Sequence, residues 1–256
     1  MNGPRPTPKY GSIYAIGLCV GCGEPLNLGS NIIWQSDHES GTVGDWIDDD
    51  QGGVFVSGGG TYEVATEHAH SGTHSVRLTA AGQDEEAIAA LWRRDVWPTE
   101  AYHSARFFIP TAVTTVGYWT IMRLCSGPMD EPDPRGVDLN LRSLADGRLV
   151  LEVMHNRLEY LKLPLADPTP FVPIGAWFHV EVRLLCAIDE TGYFDVWLDD
   201  RLVYEVHGRA TAEGDDLYWA TASIGNQFAE GSATLYVDDA VVSLSRVGKN
   251  GTLKRD

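Results

Sequence analysis

Residues 175–206 read Gly175-Ala176-Trp177-Phe178-His179-Val180-Glu181-Val182-Arg183-Leu184-Leu185-Cys186-Ala187-Ile188-Asp189-Glu190-Thr191-Gly192-Tyr193-Phe194-Asp195-Val196-Trp197-Leu198-Asp199-Asp200-Arg201-Leu202-Val203-Tyr204-Glu205-Val206. Within it, Trp177 to Leu185, Gly192 to Leu198 and Arg201 to Val206 are alternating runs of strand length, rich in β-branched and aromatic residues. Asp199-Asp200, between the second and third runs, marks a compact hairpin corner. The stretch therefore reads as antiparallel sheet, with Trp177 and Trp197 as core residues.

The same alternation extends both ways. Ser75 to Ala80, Ser104 to Ile109, Tyr118 to Cys125, Val137 to Arg142, Arg148 to His155, Tyr218 to Ile224 and Ala233 to Leu244 each read as strands, with Gly, Asp and Pro turn chemistry between them. Asp146-Gly147 is a second hairpin corner, and only Asp84 to Trp92 suggests a turn or two of helix. There is no internal repeat. Residues 1–30 differ in kind, with Pro4, Pro6, Pro8 and Pro25 among repeated glycines, and read as an irregular arm. The expectation is an all-β chain: a two-sheet antiparallel jelly-roll sandwich over 31–246, an N-terminal Pro/Gly-rich arm over 1–30 and a C-terminal tail over 247–256.

Composition bounds the partners. With 36 Asp+Glu against 19 Lys+Arg the chain carries a net charge of -17, which disfavours nucleic-acid phosphates, although Arg93, Arg94, Arg123, Arg142 and Arg157 leave local sites for an anionic sugar. No apolar stretch approaches the ~20 residues of a membrane span. Ile13 to Val20 is short and follows prolines rather than a basic segment, so no Sec signal is read there. Cys19-Val20-Gly21-Cys22 has the spacing of half a zinc knuckle, and a Zn2+ site stands there beside a local disulfide or reduced thiols. Cys125 and Cys186 sit in strand surroundings as buried thiols.

Three polar segments far apart in sequence look suited to meet: Ser36-Asp37-His38-Glu39-Ser40-Gly41, His70-Ser71-Gly72-Thr73-His74-Ser75 and Tyr236-Val237-Asp238-Asp239-Ala240. Gathered carboxylates raise one another's pKa, and a hard cation with oxygen ligands would relieve that.

The run Gly175 to Val182, continued by Ala187 to Asp200, resembles the hairpin of concanavalin A-like jelly rolls, closest to laminin-G-like domains and heparin-lyase-like polysaccharide lyases. The opening Ile32 to Gly41 with Trp46, the His70-Ser71-Gly72 turn and Tyr236 to Asp239 extend the likeness over 31–245. The resemblance implies a concave sheet that binds polysaccharide and a structural Ca2+ on the sandwich edge. Carried over by position, Glu39, Ser71, Thr73 and Asp238 or Asp239 match that calcium pattern, with Asp37 as an extra ligand.

On the concave face the glycan-binding candidates are Trp119, Arg123, Asn140, Arg142, His155, Arg157, Trp219, Asn226 and Gln227, since rings stack on sugars while amides and guanidinium groups meet their oxygens. A β-eliminating lyase needs a proton-transfer group and a carboxylate neutraliser, and His155, Tyr160 and Arg123 are available for those roles. His155 would share a face with Val153 and Arg157. The strand Trp119 to Cys125 lacks the Gln-x-His pair that such lyases display, and no Glu-x-Asp-x-x-Glu strand, Ser nucleophile elbow or phosphate loop is present. The sequence therefore favours a non-catalytic glycan-binding or adhesion module, a structural component of a larger assembly such as a phage tail or capsid decoration protein. That reading places it at a virion surface or outside the cell, with carbohydrate and protein neighbours or a second copy met through the arm. The alternative is a polysaccharide lyase acting on uronate polymers.

Overall fold

A computed structural model describes residues 31–48, 51–81, 87–95, 97–126, 135–155, 159–161, 170–213, 217–221, 228 and 231–250. The arm at 1–30, with Cys19 and Cys22, lies outside the described residues, as do Arg157, Asn226 and Gln227.

The strands are β1 (Ile32–Ser36), β2 (Ile47–Asp48), β3 (Gln51–Ser57), β4 (Gly60–Ala65), β5 (Ser75–Ala81), β6 (Ile88–Asp95), β7 (Glu100–Phe108), β8 (Trp119–Ser126) and β9 (Arg135–Ser143). They continue as β10 (Leu149–His155), β11 (Glu159–Leu161), β12 (Phe171–Val172), β13 (Trp177–Leu185), β14 (Tyr193–Leu198), β15 (Arg201–His207), β16 (Leu217–Thr221) and β17 (Ser232–Ser243). An eight-stranded sheet has the order β15-β14-β13-β7-β17-β5-β4, with β1 on β17; a nine-stranded sheet has the order β11-β10-β9-β8-β16-β6-β3-β2, with β12 on β10. β2 joins only through a two-pair ladder to β3, a small third sheet on the edge. The architecture is thus an all-β antiparallel sandwich, broadly jelly-roll-like; the strictly two-sheet description is corrected by that third ladder.

Alternation places the core. Phe178, Val180, Val182 and Leu184 of β13 turn inward with Ala101, Ala105 and Phe107 of β7, and meet Val137, Leu139 and Leu141 of β9 from the other sheet. The hairpin from β14 to β15 turns on Asp199 and Asp200, both with positive φ (50° and 70°), the backbone a tight two-residue turn demands.

Two expectations change. Ile88–Asp95 is a strand lying between β3 and β16, not helix, because pairing on both sides outweighs the local Ala-rich pattern. Trp177 and Trp197 stand outside the main core: Trp177 packs with Phe108 and Tyr236 in a small cluster on the outer face of the eight-stranded sheet, and Trp197 lies under the Arg246 guanidinium at 4.2 Å. The stretch expected to be a tail from 247 is fastened as far as Lys249. Buried Glu181 accepts from the Val247 amide at 2.6 Å and Arg246 Nε at 3.1 Å, and Asp200 accepts from the Lys249 amide at 2.8 Å.

Candidate functional site

The three polar segments do meet, on the edge where β1 pairs with β17 and β17 with β5. A bulge between Asp238 and Val241, with Asp239 at φ 44°, turns two adjacent aspartates into one region. Asp238 accepts from the His70 and Ser71 amides at 2.7 and 3.2 Å, and Asp239 binds His70 Nδ1 and the Ser71 hydroxyl at 2.6 Å each. Glu39 accepts from the Thr73 amide and hydroxyl and the His74 amide at 2.8, 3.0 and 2.7 Å. Asp37 caps the Glu39 amide at 3.1 Å. Gly72 permits this approach: its φ is +56°, and a Cβ there would stand 2.2 Å from Glu39 Cδ.

Burial pushes Asp238 above the usual carboxylate range despite His38 and the amide donors, whereas on Asp239 the His70 and Ser71 contacts outweigh burial and hold it low. For Glu39, too, burial is overcome by the Thr73 and His74 donors, and its carboxyl is lowered. The expected metals are corrected here. N–H and O–H donors serve as counter-groups for Asp37, Glu39, Asp238 and Asp239 in place of Ca2+, and among the described residues no group of three or more His, Cys, Asp or Glu ligand atoms gathers at this edge. The Zn2+ expectation finds no support either: Cys19 and Cys22 lie outside the described residues, and the Cys186 thiol is raised to about 11 by burial and joins no group of metal ligands.

The glycan and lyase candidates divide between two faces. Because Val137, Leu139 and Leu141 face the core, their neighbours Asp138, Asn140 and Arg142 occupy the outer face of the nine-stranded sheet. Arg123 of β8 clasps Asp138 with two bonds, Nε–Oδ1 2.7 Å and Nη2–Oδ2 3.0 Å. Arg142 donates to Glu152 of β10 at 2.6 Å. Between these pairs lies fully buried Asn140, its Oδ1 accepting from Thr120 at 2.7 Å and its Nδ2 without a partner among the described residues. Arg123, Asn140 and Arg142 are thus brought together.

The others are not. His155 shares the inward face with Val153, as alternation required, but that face is the core: its Nε2 meets the Ala210 carbonyl at 2.9 Å and its ring lies 5.9 Å from Phe194. Trp119 is fully buried against Phe228. Tyr160 pairs in register with Met154, Met154 with Asp138, and Asp138 with Arg123, so its backbone lies in the Arg123 row. Trp219 pairs with Leu124 and Arg93.

Sequence reasoning missed a second constellation, on the outer face of the other sheet. Asp195 of β14 stands directly opposite Glu205 of β15, and the ligand atoms of Asp195, Glu205 and His207 lie within 4.8 Å of one another, close enough to hold a metal ion. His207 Nε2 is 3.3 Å from Asp195 Oδ1, and burial raises the Asp195 carboxyl. Arg183 and Tyr193 both contact Glu100 beside it. The i, i+2 spacing of Glu205 and His207 was visible; the cross-strand partner needed the register.

No family model and no curated protein matches the chain. Solved structures do. The fold is similar to an endo-beta-1,4-glucuronan lyase from Trichoderma reesei, at 15% identity over 83% of this chain and 95% of that one, TM-score 0.59. It is similar to the cellulose induced protein Cip1, at 18% identity over 84% and 98%, TM-score 0.58. A PL-14 alginate lyase from Aplysia kurodai aligns at 12% identity over 83% and 99%, TM-score 0.53. The chain's sandwich therefore shares its fold with these three structures. The reading as a non-catalytic adhesion module or virion decoration protein is corrected by these matches, two of which are named as lyases, together with the Asp195, Glu205 and His207 cluster. Among the described residues no helix is long and apolar enough to cross a membrane.

Proposed function

We propose that the protein is a polysaccharide lyase that cleaves uronate polysaccharide by β-elimination on the outer face of the nine-stranded sheet. The observation that carries this reading is the polar strip in which Asn140, its Oδ1 fixed by Thr120 and its Nδ2 unspent, lies between the Arg123–Asp138 and Arg142–Glu152 pairs. β-Elimination removes the C5 proton, forms the C4–C5 double bond and expels the C4 oxygen, which takes up a proton. The C5 proton becomes acidic enough only when the adjacent carboxylate is neutralised, and that asks for preorganised donors in a partly dry place. Arg123 and Arg142 take the neutralising role, the latter with its side chain 44% exposed and so within reach of polymer. Asn140 lies on the floor of the strip, and an oxygen reaches its Nδ2 once the side chains above it part. Proton transfer falls to Tyr160, whose backbone lies in the Arg123 row, because His155 faces the core. The fold likeness to a glucuronan lyase and an alginate lyase supports the substrate class.

The Asp195, Glu205 and His207 face suits uronate less well, since Glu100, Asp195 and Glu205 would repel a polyanion and Arg183 already pairs with two of them. Glucuronan and alginate are the substrates to offer, read by the absorbance of the unsaturated product. Tyr160→Phe should reduce turnover by about 100-fold or more with folding intact; wild-type turnover in that variant would remove Tyr160 from the mechanism.

A further inference from the structure

The outer face of the eight-stranded sheet holds a buried cation with no ion pair among the described residues. Arg106 of β7 lies in register between Asp238 of β17 and His179 of β13. It is 5% exposed, and its hydrogen bonds among the described residues run from Nη2 alone, to the carbonyls of Gly248 and Lys249. No described carboxylate oxygen comes within the 4.0 Å of an ion pair. Burial lowers its basicity, and Asp239, Asp199, Asp200 and Asp238 counter this only through space. Buried arginines ordinarily have a partner, because an unpaired charge away from water is costly.

Those neighbouring carboxylates are already engaged. Asp239 is held by His70 and Ser71, Asp238 by the His70 and Ser71 amides, Asp199 by the His179 amide and Lys249 Nζ, and Asp200 by the Lys249 amide. Beside Arg106 is a cavity of about 290 Å³, the size of a small ligand's site, roofed by Val247 and Lys249 and walled by Ser104, His179 and Val241. His179 is 2% exposed and its Nδ1 has no hydrogen-bond partner. Unspent guanidinium N–H groups, an orphan imidazole nitrogen and a serine hydroxyl thus face one space, whose lining is completed by Val241, Val247, Lys249, Asn250 and the Asp239 carboxylate that His70 and Ser71 hold.

We infer that this cavity binds a small carboxylate, gripped by the guanidinium fork of Arg106 and by His179 Nδ1, with the apolar part of the ligand against Val241 and Val247. A planar carboxylate matches the fork in a way that a neutral amide or sugar does not. The site is on the opposite sheet from the proposed elimination strip and does not depend on it. A sugar acid and a simple organic acid share this chemistry, and separate arms distinguish them.

The test is titration calorimetry and thermal melting of the full chain with sodium acetate and sodium D-glucuronate, against acetamide and D-glucose at matched ionic strength. One carboxylate should bind per chain and raise the melting temperature, with no response to acetamide or glucose. Stronger binding of glucuronate than acetate identifies a sugar-acid site, and the reverse a simple-acid site. Arg106→Lys, which keeps the charge but loses the fork, and His179→Phe should each weaken binding at least about tenfold. If Arg106→Lys fails to fold, His179→Phe carries the comparison alone. Ile188→Ser, at an exposed position outside both sites, should bind as wild type does. Absence of saturable carboxylate binding, or binding that survives His179→Phe unweakened, would overturn the inference.

Discussion

Replacing Asn140 by leucine should separate function from stability. The buried Nδ2 has no partner, a condition that costs about 1–3 kcal/mol, and the leucine side chain has similar volume without that liability. Against this gain stands the loss of the 2.7 Å bond from Thr120, a contribution of about 0.5–1.5 kcal/mol, leaving the Thr120 hydroxyl without an acceptor on Asn140. The two terms nearly cancel, so Asn140→Leu should unfold in urea within about 1 kcal/mol of wild type. Turnover of a uronate polymer, in contrast, should fall by about 100-fold or more, because an oriented donor to the developing charge is gone. Urea melts followed by tryptophan fluorescence, run beside the absorbance assay on the same preparations, measure both quantities. A variant destabilised by more than about 2 kcal/mol, with activity lost only in proportion to unfolded protein, would make Asn140 an ordinary structural amide and refute the reasoning.

Other consequences concern charge and burial. His103 is fully buried and its pKa is pushed down to about 3 by desolvation, and His179 is lowered well below 6.5 for the same first reason. Both fold neutral, so stability is present above pH 6.5 and lost as pH falls, by about 1.4 kcal/mol per pH unit for each group, and His103→Leu should flatten the pH dependence of the urea midpoint by one such increment. An unchanged slope would contradict a neutral buried His103. Glu181→Ala leaves the Val247 amide and Arg246 without their buried acceptor, so a loss of about 3 kcal/mol is expected in urea melts, and a loss under about 1 kcal/mol would count against a fastened C-terminal segment. Since the chain carries a net charge of -17 and both arginines of the polar strip are carboxylate-paired, long-range repulsion of a polyuronate should dominate, and KM should fall as salt rises from about 0.01 to 0.15 M. A rising KM would show that Arg123 and Arg142 set the field instead.

The hairpin from Trp177 to Val206 was legible because alternation and the Asp199-Asp200 corner are local properties. Ile88–Asp95 was not, since its strand character comes from β3 and β16, which lie more than thirty residues before and one hundred residues after it in the chain. For His155 the parity was legible and the sign was not. Alternation tied it to Val153, yet only the sheet packing says which face is core. Trp177 and Trp197 were assigned to the core for the same want of a sign, and their outer positions reflect contacts with Phe108 and Arg246. At the edge, Glu39 meets Thr73 while Asp238 and Asp239 meet Ser71, so polar segments far apart in sequence were legible as neighbours. What balances their charge was not, because backbone amides at 70, 71, 73 and 74 leave no mark in the side-chain pattern.

The most direct measurement is the incubation of purified protein with glucuronan and with alginate while the absorbance of the unsaturated product is followed, in wild type and in Asn140→Leu and Tyr160→Phe. The account predicts a steady rise with one of the two polymers in wild type and its near-loss in both variants. No rise with either polymer, or a rise that both variants keep, would contradict elimination at the outer face of the nine-stranded sheet.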